Sequence, residues 1–160
     1  MPNDGAGTVG DDEVAALQTA TRDLVAVALR SLDVLEGAVS LPQFRVLNVL
    51  HELGRVPSSR VAAALGIGAS SVTRLADRLV AAGHLHRGQD PNNRSVVTLE
   101  LTPSGQTLVD KVTSWRRTEL SRILGQLGEA DRASLAASLG WLHNAVRTSE
   151  PEKPPGPLPL

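Results

Sequence analysis

Ala69-Ser-Ser-Val-Thr-Arg-Leu-Ala-Asp-Arg-Leu-Val80 is the centre of a longer stretch, Pro57 to Leu101, around which the chain is organised. At 3.6 residues per turn, apolar side chains of this segment fall on one side of a helix and polar ones on the other. One side can pack on a small core, while short hydroxyls and a guanidinium on the other suit phosphates and base edges. The pattern predicts a DNA-recognition helix with Val72, Leu75, Ala76 and Leu79 facing inward and Ser70, Thr73, Arg74 and Asp77 facing outward.

The segments on both sides of this helix predict a winged helix-turn-helix. Ser58 is placed to cap a short helix that Gly66 ends, and Gly66-Ile-Gly68 then forms a three-residue turn before the recognition helix. After it, His84–Arg87 and Val96–Leu101 have strand patterns, and the second alternates with Val97, Leu99 and Leu101 on one face. The turn formers of Gly88–Arg94 join the two strands. Two strands and an arginine-tipped loop predict a wing.

Longer helices are predicted towards both ends of the chain. The first runs from about Asp11 to Ala38, with Val14, Leu17, Leu24, Ala28 and Leu35 at heptad-like intervals. A second begins with Pro42 at its first position and ends at Gly54, with Phe44, Val46, Leu47, Val49 and Leu50 inward. A fifth begins with Thr102 as cap and Pro103, and a sixth follows Gly128. The predicted fold class is mainly α, an α+β winged helix of about six helices with a two-stranded wing.

The composition sets limits on the class of protein. The chain has 160 residues, of which 41% are hydrophobic and only 2% aromatic, so a core of Leu, Val and Ala is expected. It has no cysteine, which excludes disulfides, thiolate metal sites and a thiol redox sensor. There is no apolar run long enough for a membrane span, and the first residues have no signal-peptide character. These features predict a cytoplasmic protein without a membrane partner.

Charge is unevenly distributed along the chain. The net charge is -1, but the segment from Gly54 to Thr98 holds six arginines against two aspartates. Positive charge is therefore concentrated on the segment that contains the predicted recognition helix, as expected for a nucleic-acid contact. A solvated arginine surface with no partner is the alternative explanation of this charge pattern alone.

Five phrases, in order along the chain, resemble the MarR family of winged-helix transcriptional regulators, and the similarity covers about Asp12 to Val146. The first two lie before the recognition helix and the third covers most of it. The fourth is in the wing, and the last contains the second strand and the start of the next helix. They are Leu41-Pro-Gln-Phe-Arg-Val-Leu, Val61-Ala-Ala-Ala-Leu-Gly-Ile, Ser71-Val-Thr-Arg-Leu-Ala-Asp-Arg-Leu with Ala82-Gly-His-Leu-His-Arg, Asp90-Pro-Asn-Asn-Arg, and Val97-Thr-Leu-Glu-Leu-Thr-Pro-Ser-Gly.

The resemblance implies a homodimer and a sequence-specific regulator, typically a repressor, on a near-palindromic operator in double-stranded DNA. It implies a helical dimerisation region at 11–41 and 103–148 and a winged helix-turn-helix region at 42–102. Residues 1–10 and the proline-rich tail 149–160 are expected to be disordered. By position, the implied DNA contacts are Ser70, Ser71, Thr73, Arg74 and Arg78 in the major groove or on its phosphates, Ser58 and Arg60 on the flanking backbone, and Arg94 in the minor groove.

The chain departs from the family pattern at the wing tip. Asn93-Arg94-Ser95 stands where the family usually has Asp-Arg-Arg. The missing carboxylate normally pairs with an arginine near the recognition helix, so a less rigid wing is expected. The missing arginine removes one DNA contact per subunit, so binding is expected to be weaker or more sensitive to salt. For Asp77, contact with a cytosine and orientation of Arg74 or Arg78 are both open.

Other residues of the sequence suggest functions besides DNA binding. Proteins of this family bind small aromatic or phenolic effectors between the winged helix and the dimerisation region, which here implies Phe44, Leu47, His51, Trp115 and Arg116.

His84 and His86 on one strand could hold zinc in a zinc-responsive regulator, but no second pair and no thiolate completes a site, so no metal or other cofactor is predicted. A winged helix that contacts another protein through the tail is a further alternative. His51 and His143 are isolated and no nucleophile motif occurs, so no enzyme is predicted.

Overall fold

The computed structural model describes residues 8–149 of the chain as a mainly helical fold with a small sheet. The predicted disorder at residues 1–7 and 150–160 lies outside the described residues. This part contains six α-helices and three antiparallel strands, which confirms the predicted winged-helix class. The elements are α1 (Asp11–Arg30), a 3-10 turn (Asp33–Leu35), α2 (Leu41–Leu53), β1 (Val56–Pro57), α3 (Ser58–Leu65), α4 (Ala69–Ala81), β2 (Leu85–Gln89), β3 (Val97–Leu101), α5 (Pro103–Leu124) and α6 (Glu129–Ser149).

Helix α2 is the centre of the hydrophobic core. It contacts α3, α4 and α5, and its predicted inward residues are all buried. Ser40 precedes it and donates its backbone N–H to Gln43 Oε1 at 2.8 Å, so Pro42 is the second helical residue and not the first. The core is built from aliphatic side chains around one aromatic ring, and its fully buried members include Phe44, Leu47, Val61, Val72, Leu79, Leu99 and Val112.

The helix-turn-helix forms as predicted, with one difference at its start. Helix α3 ends at Gly66, which has a left-handed φ of 65°, and α4 begins after Gly68. Ser58 makes no capping hydrogen bond, because the extended Pro57 occupies the cap position and Ser58 is already the first helical residue. The predicted Ser58 cap is therefore wrong. Gly83 (φ 76°) ends α4, and the next amide, His84 N–H, donates to Leu79 O at 2.8 Å.

The sheet has the strand order β1-β3-β2, so the predicted two-stranded wing has a third strand at its base. Val56 pairs with Leu99 on one side of β3, and Gln89 pairs with Val97 on the other. Strand β1 has only two residues and includes a proline, so no local pattern indicated it. Alternation places Thr98 on the outward face of β3, yet Thr98 is only 4% exposed, because the Arg55 side chain lies against its hydroxyl.

Helix α1 is shorter than predicted and ends at Arg30, not Ala38. The chain then turns, with the buried Ser31 hydroxyl bonded to Ala28 O and with left-handed conformations at Glu36 and Gly37. The reason is a tertiary contact. The heptad spacing assigned Leu35 to the apolar stripe of α1, but Leu35 is 4% exposed and packs in the core of the winged helix.

The start of α5 is attached closely to the end of α4. Thr102 Oγ1 accepts from Gly105 N–H at 3.1 Å, as expected of a cap, and donates to Gly83 O at 2.7 Å. A Cβ on Gly105 would collide with the backbone carbonyl oxygen of His84, so only glycine fits there. The predicted Thr102 cap and Pro103 start are confirmed, and they join the wing to α5.

The terminal helices α1 and α6 expose their apolar side chains. In α1, Val14, Leu17 and Leu24 are 44%, 48% and 50% exposed, and in α6 all residues from Glu129 to Thr148 are exposed. Such stripes are normally covered in a stable helix. None of the helices in residues 8–149 is long and apolar enough to cross a membrane.

Candidate nucleic-acid interface

Helix α4 presents a polar face that is separated cleanly from its buried face. Val72, Ala76 and Leu79 are at most 1% exposed, whereas the side chains opposite them face solvent. A surface depression of about 290 Å³ on this helix is lined by Ser71, Arg74, Leu75 and Arg78. Ser71 is half-buried, and the other residues predicted to contact DNA from this helix are exposed: Ser70, Thr73, Arg74 and Arg78.

The first turn of α4 has free donors but one committed hydroxyl. Gly68 caps the helix without a side chain, so no side chain satisfies the first backbone N–H groups, and this helix N-terminus can bind an anion. Thr73 Oγ1 donates to Ala69 O at 3.0 Å. The Thr73 side chain therefore offers a methyl group and an acceptor oxygen, and its hydroxyl hydrogen is already used.

Asp77 is held by the wing. Its Oδ1 accepts from Arg87 Nη2 at 2.6 Å, and Arg87 lies on β2. Both side chains are partly exposed, at 54% and 38%, so the pair contributes more to geometry than to stability. Of the two roles open for Asp77, the structure shows neither, since its carboxylate orients a third arginine. From the sequence, Arg87 could be identified only as part of the positive charge of this segment, because Asp77 and Arg87 are ten residues apart and no local pattern links them.

Local hydrogen bonds close the wing tip. Asp90 Oδ1 accepts from the backbone N–H groups of Asn92 and Asn93 at 2.8 and 3.2 Å, and Asn93 Oδ1 accepts from Ser95 N–H at 3.1 Å. Asp90 N–H also donates to Val96 O across the loop at 2.9 Å. Asn93 thus shapes the tip with its amide oxygen, and Arg94 is exposed there.

Ser58 and Arg60 lie in the first turn of α3, and both are half-buried. The helix has no side-chain cap, so its first N–H groups lie next to these two side chains. The arrangement offers hydrogen-bond donors and one positive charge on a helix that packs against α4.

The residues predicted to bind an effector are not one open cleft. Phe44 and Leu47 are 1% and 0% exposed, and so belong to the core. Arg116 Cζ lies 5.9 Å from the Phe44 ring centroid, and its Nε donates to Ser31 Oγ at 2.7 Å. Burial lowers the pKa of this guanidinium, which remains a cation at neutral pH.

The other two residues of the predicted effector site, His51 and Trp115, do not take part in the contact of Arg116 with Phe44 and Ser31. His51 is exposed and its Nδ1 is within hydrogen-bond distance of the Gln106 side chain on α5. Trp115 is half-buried. The structure therefore brings together Phe44 and Arg116 and gives His51 a different partner.

The two histidines considered for zinc also have separate surroundings. His84 Nδ1 is 3.0 Å from Ser104 Oγ at the start of α5, while His86 is exposed and opposite Glu100 in the β2–β3 register. In residues 8–149, no group of three His, Cys, Asp or Glu side chains is close enough to hold a metal ion.

Comparisons with known proteins agree on one family. The MarR family model matches residues 39–97. The crystal structure of RV1404 from Mycobacterium tuberculosis is 35% identical, with a TM-score of 0.80 over 89% of this chain and 98% of that one. The transcriptional repressor MdtR of Bacillus subtilis is 30% identical over 70% of this chain and 72% of its own length. FabT of Streptococcus pneumoniae, solved in complex with DNA, shares the fold, with a TM-score of 0.71, 19% identity and coverage of 88% and 100%.

Proposed function

The chain belongs to the MarR family, and on that premise we propose that it is a homodimeric, sequence-specific DNA-binding regulator that represses transcription in the cytoplasm. The carrying observation is the exposed face of α4, where Ser70, Arg74 and Arg78 have no side-chain partner among residues 8–149 and lie beside a wing that ends in Arg94. Hydroxyls and guanidiniums on a helix that is anchored only by its opposite face are suited to base edges and phosphates.

In the proposed complex, each element has a separate role. Arg74 contacts a base in the major groove, and the Thr73 methyl group faces a thymine methyl or the sugar edge. Ser70, Ser71 and Arg78 contact phosphates, aided by the open N-terminus of α4. Ser58 and Arg60 hold the flanking backbone, and Arg94 enters the minor groove, where the negative potential attracts a guanidinium.

A homodimer is supported by the apolar stripes of α1 and α6. Leucines that are 37–50% exposed in one chain need a cover of comparable length, and a second copy supplies one through the same helices. Two-fold symmetry then places two copies of α4 on a near-palindromic operator, with half-sites about 10 bp apart, one helical turn of the duplex.

Selection of bound duplexes from a random pool tests this function and supplies the operator. The selected sites should be near-palindromic, and affinity should fall steeply with salt as phosphate contacts release counterions. Arg74→Ala should cost about 1–3 kcal/mol per subunit and relax base preference at one position of each half-site. Arg147→Ala, which removes a charge from the last turn of α6, is the control. Failure to select any common sequence would contradict the proposal, and an unchanged site preference would refute the role of Arg74.

We further propose that a small aromatic or phenolic effector releases the DNA by binding near Arg116, which lies over the Phe44 ring, with Leu47, His51 and Trp115 as the other proposed contacts. The support is the half-buried guanidinium, which bridges α5 to Ser31 and can exchange that contact for an anionic or phenolic oxygen. In Trp141→Phe, Trp115 is the single tryptophan and reports on the proposed site. Titration with salicylate should change its fluorescence and release the duplex together; a silent signal with no release excludes that ligand class.

A further inference from the structure

The outer face of the wing carries an arginine that no DNA-binding role accounts for. Arg55 lies between the end of α2 at Leu53 and the start of β1 at Val56. Its Nε donates to Thr98 Oγ1 on β3 at 3.2 Å, and its Nη2 donates to Gln89 O, the last carbonyl of β2, at 2.8 Å. One guanidinium thus joins the beginning of the first strand to both strands of the wing.

The surroundings of Arg55 fit the guanidinium closely. Thr98 is 4% exposed although the strand pattern places it on the outward face. Across from it in the register is Gly88, and a Cβ there would lie 3.0 Å from Arg55 Nη2 and 3.1 Å from Thr98 Oγ1. A side chain at position 88 would therefore occupy the space of the guanidinium. The arginine, the glycine and the threonine together form a small unit, which we call the Arg55 clamp.

The clamp and the ion pair of Arg87 lie on opposite faces of the wing. Successive residues of a strand face opposite sides, so Arg87 projects towards α4 while Gly88 opens towards Arg55. Asp77 holds the wing from the side of the recognition helix, and Arg55 holds it from the outer side. The held carbonyl, Gln89 O, immediately precedes the tip loop that carries Arg94.

We infer that Arg55 is a positioning residue for the wing: its forked contact with Thr98 and Gln89 fixes the direction in which Arg94 enters the DNA. This inference rests on the proposed DNA binding but can be judged apart from it. Two directed bonds from one planar group need the fork geometry of arginine, which a lysine does not reproduce. The competing explanation is direct, since Arg55 is exposed overall and its charge could instead contact a phosphate.

The test uses the full-length dimer and the duplex selected above. Arg55→Lys keeps the charge and removes the fork, while Thr98→Val removes one acceptor and leaves Arg55 in place. Each is measured alone and in combination with Arg94→Ala. Thr107→Val is the matched control, since its hydroxyl bonds only to Pro103 O within α5. Amide hydrogen exchange of the free proteins gives a second readout that needs no DNA.

If the clamp positions the wing, Arg55→Lys should weaken duplex binding by about fivefold alone and by less than about twofold in the Arg94→Ala background, since coupled residues are not additive. The amides of Gly88 and Thr98, which form a hydrogen-bonded pair of the β2–β3 ladder, should exchange about tenfold faster, and Thr98→Val should do the same to a lesser degree.

Two results would overturn the inference. The first is wild-type affinity in Arg55→Lys together with weaker binding in Arg55→Met. If the loss in Arg55→Met is the same with and without Arg94→Ala, and the salt dependence of binding becomes less steep, Arg55 contacts a phosphate. Unchanged wing exchange in Arg55→Lys and Thr98→Val shows that no clamp operates. If the wild-type protein binds no duplex, the proposed function fails, and the exchange measurement still decides whether the clamp holds the wing.

Discussion

The winged helix and the terminal helices contain the same types of apolar residue but bury them to different extents. In the winged helix, Leu47 and Leu79 are 0% exposed, and side-chain hydrogen bonds cross long sequence separations, as from Arg55 to Thr98. In α1 and α6, leucines such as Leu24 and Leu139 remain 50% and 47% exposed. Composition is therefore a poor guide to burial here. What differs is that the first region meets its own partners within one chain, while the second does not.

The comparison indicates two separate conditions for stability. The winged helix can reach its packed state through contacts within the chain, so its stability should respond to single core substitutions. In the proposed dimer a second copy covers the terminal helices, so their stability should depend on protein concentration. The following changes test that division, beginning with the largest expected effect.

Leu139→Asp should separate the two regions most clearly. In the proposed dimer it places a carboxylate in an apolar interface, which costs several kcal/mol, so the dimer dissociation constant should rise by at least about 100-fold. Sedimentation equilibrium measures the change. Asn144→Asp adds the same charge on the opposite side of α6 and should leave the dimer intact. Equal behaviour of the two variants would show that this stripe is not the interface.

Leu79→Ala should weaken the winged helix from within. Its side chain is fully buried, and removing it should lower the free energy of unfolding by about 2–5 kcal/mol at fixed protein concentration. Urea denaturation followed by circular dichroism measures this. Val80→Ala, the next residue on α4 but 38% exposed, should change stability by less than about 0.5 kcal/mol. Similar losses in both would contradict the assigned faces of the recognition helix.

The smallest effect is expected at an ion cluster between α1 and α5. Glu119 accepts from Arg122 Nε and Nη2 at 2.8 and 2.9 Å, and Arg30 of α1 lies 3.9 Å away. The hydrogen bond from Arg122 lowers the pKa of Glu119, with further lowering by the charges of Arg122 and Arg30. Because the folded pKa lies below the ordinary value of about 4.3, the stabilisation is present above that value and is lost as pH falls through the folded pKa.

Glu119→Gln should therefore lower the denaturation midpoint slightly at pH 7, and the difference should shrink progressively as the pH falls below the ordinary value of about 4.3. Urea midpoints measured between pH 3 and 7 give the comparison. In the Arg122→Met background the same substitution should have a smaller effect at pH 7. A difference that persists unchanged at pH 3 would show that the carboxylate charge is not the cause.

Patterns in the sequence predicted the parts of the fold that depend on neighbouring residues. Helices α2 and α4, the glycine turn between α3 and α4, and the Thr102 start of α5 follow from periodicity, caps and breakers. Three local predictions were wrong. The end of α1 moved from Ala38 to Arg30 because Leu35 packs into the core. Ser58 did not cap α3 because Pro57 holds the cap position, and Pro42 is the second residue of α2 because Ser40 holds the cap position there.

The candidate site shows the same division. The exposed polar residues of α4 and the tip arginine Arg94 could be named from spacing and resemblance. The contacts that hold the wing could not, since Asp77 and Arg87 are ten residues apart and Arg55 and Thr98 are 43 apart. Strand β1, which sets Arg55 in place, has only two residues and no pattern of its own.

The sequence by itself therefore determined which faces are apolar, where helices begin and end near glycine and proline, and which side chains could contact DNA. These properties depend on period and on neighbours within a few residues. Tertiary structure alone decided which partner each charged group takes and that Leu35 leaves the stripe of α1 for the core. Each of these outcomes depends on contacts between residues that are distant in sequence, whose meeting is fixed by the packing of α2, α4 and the wing.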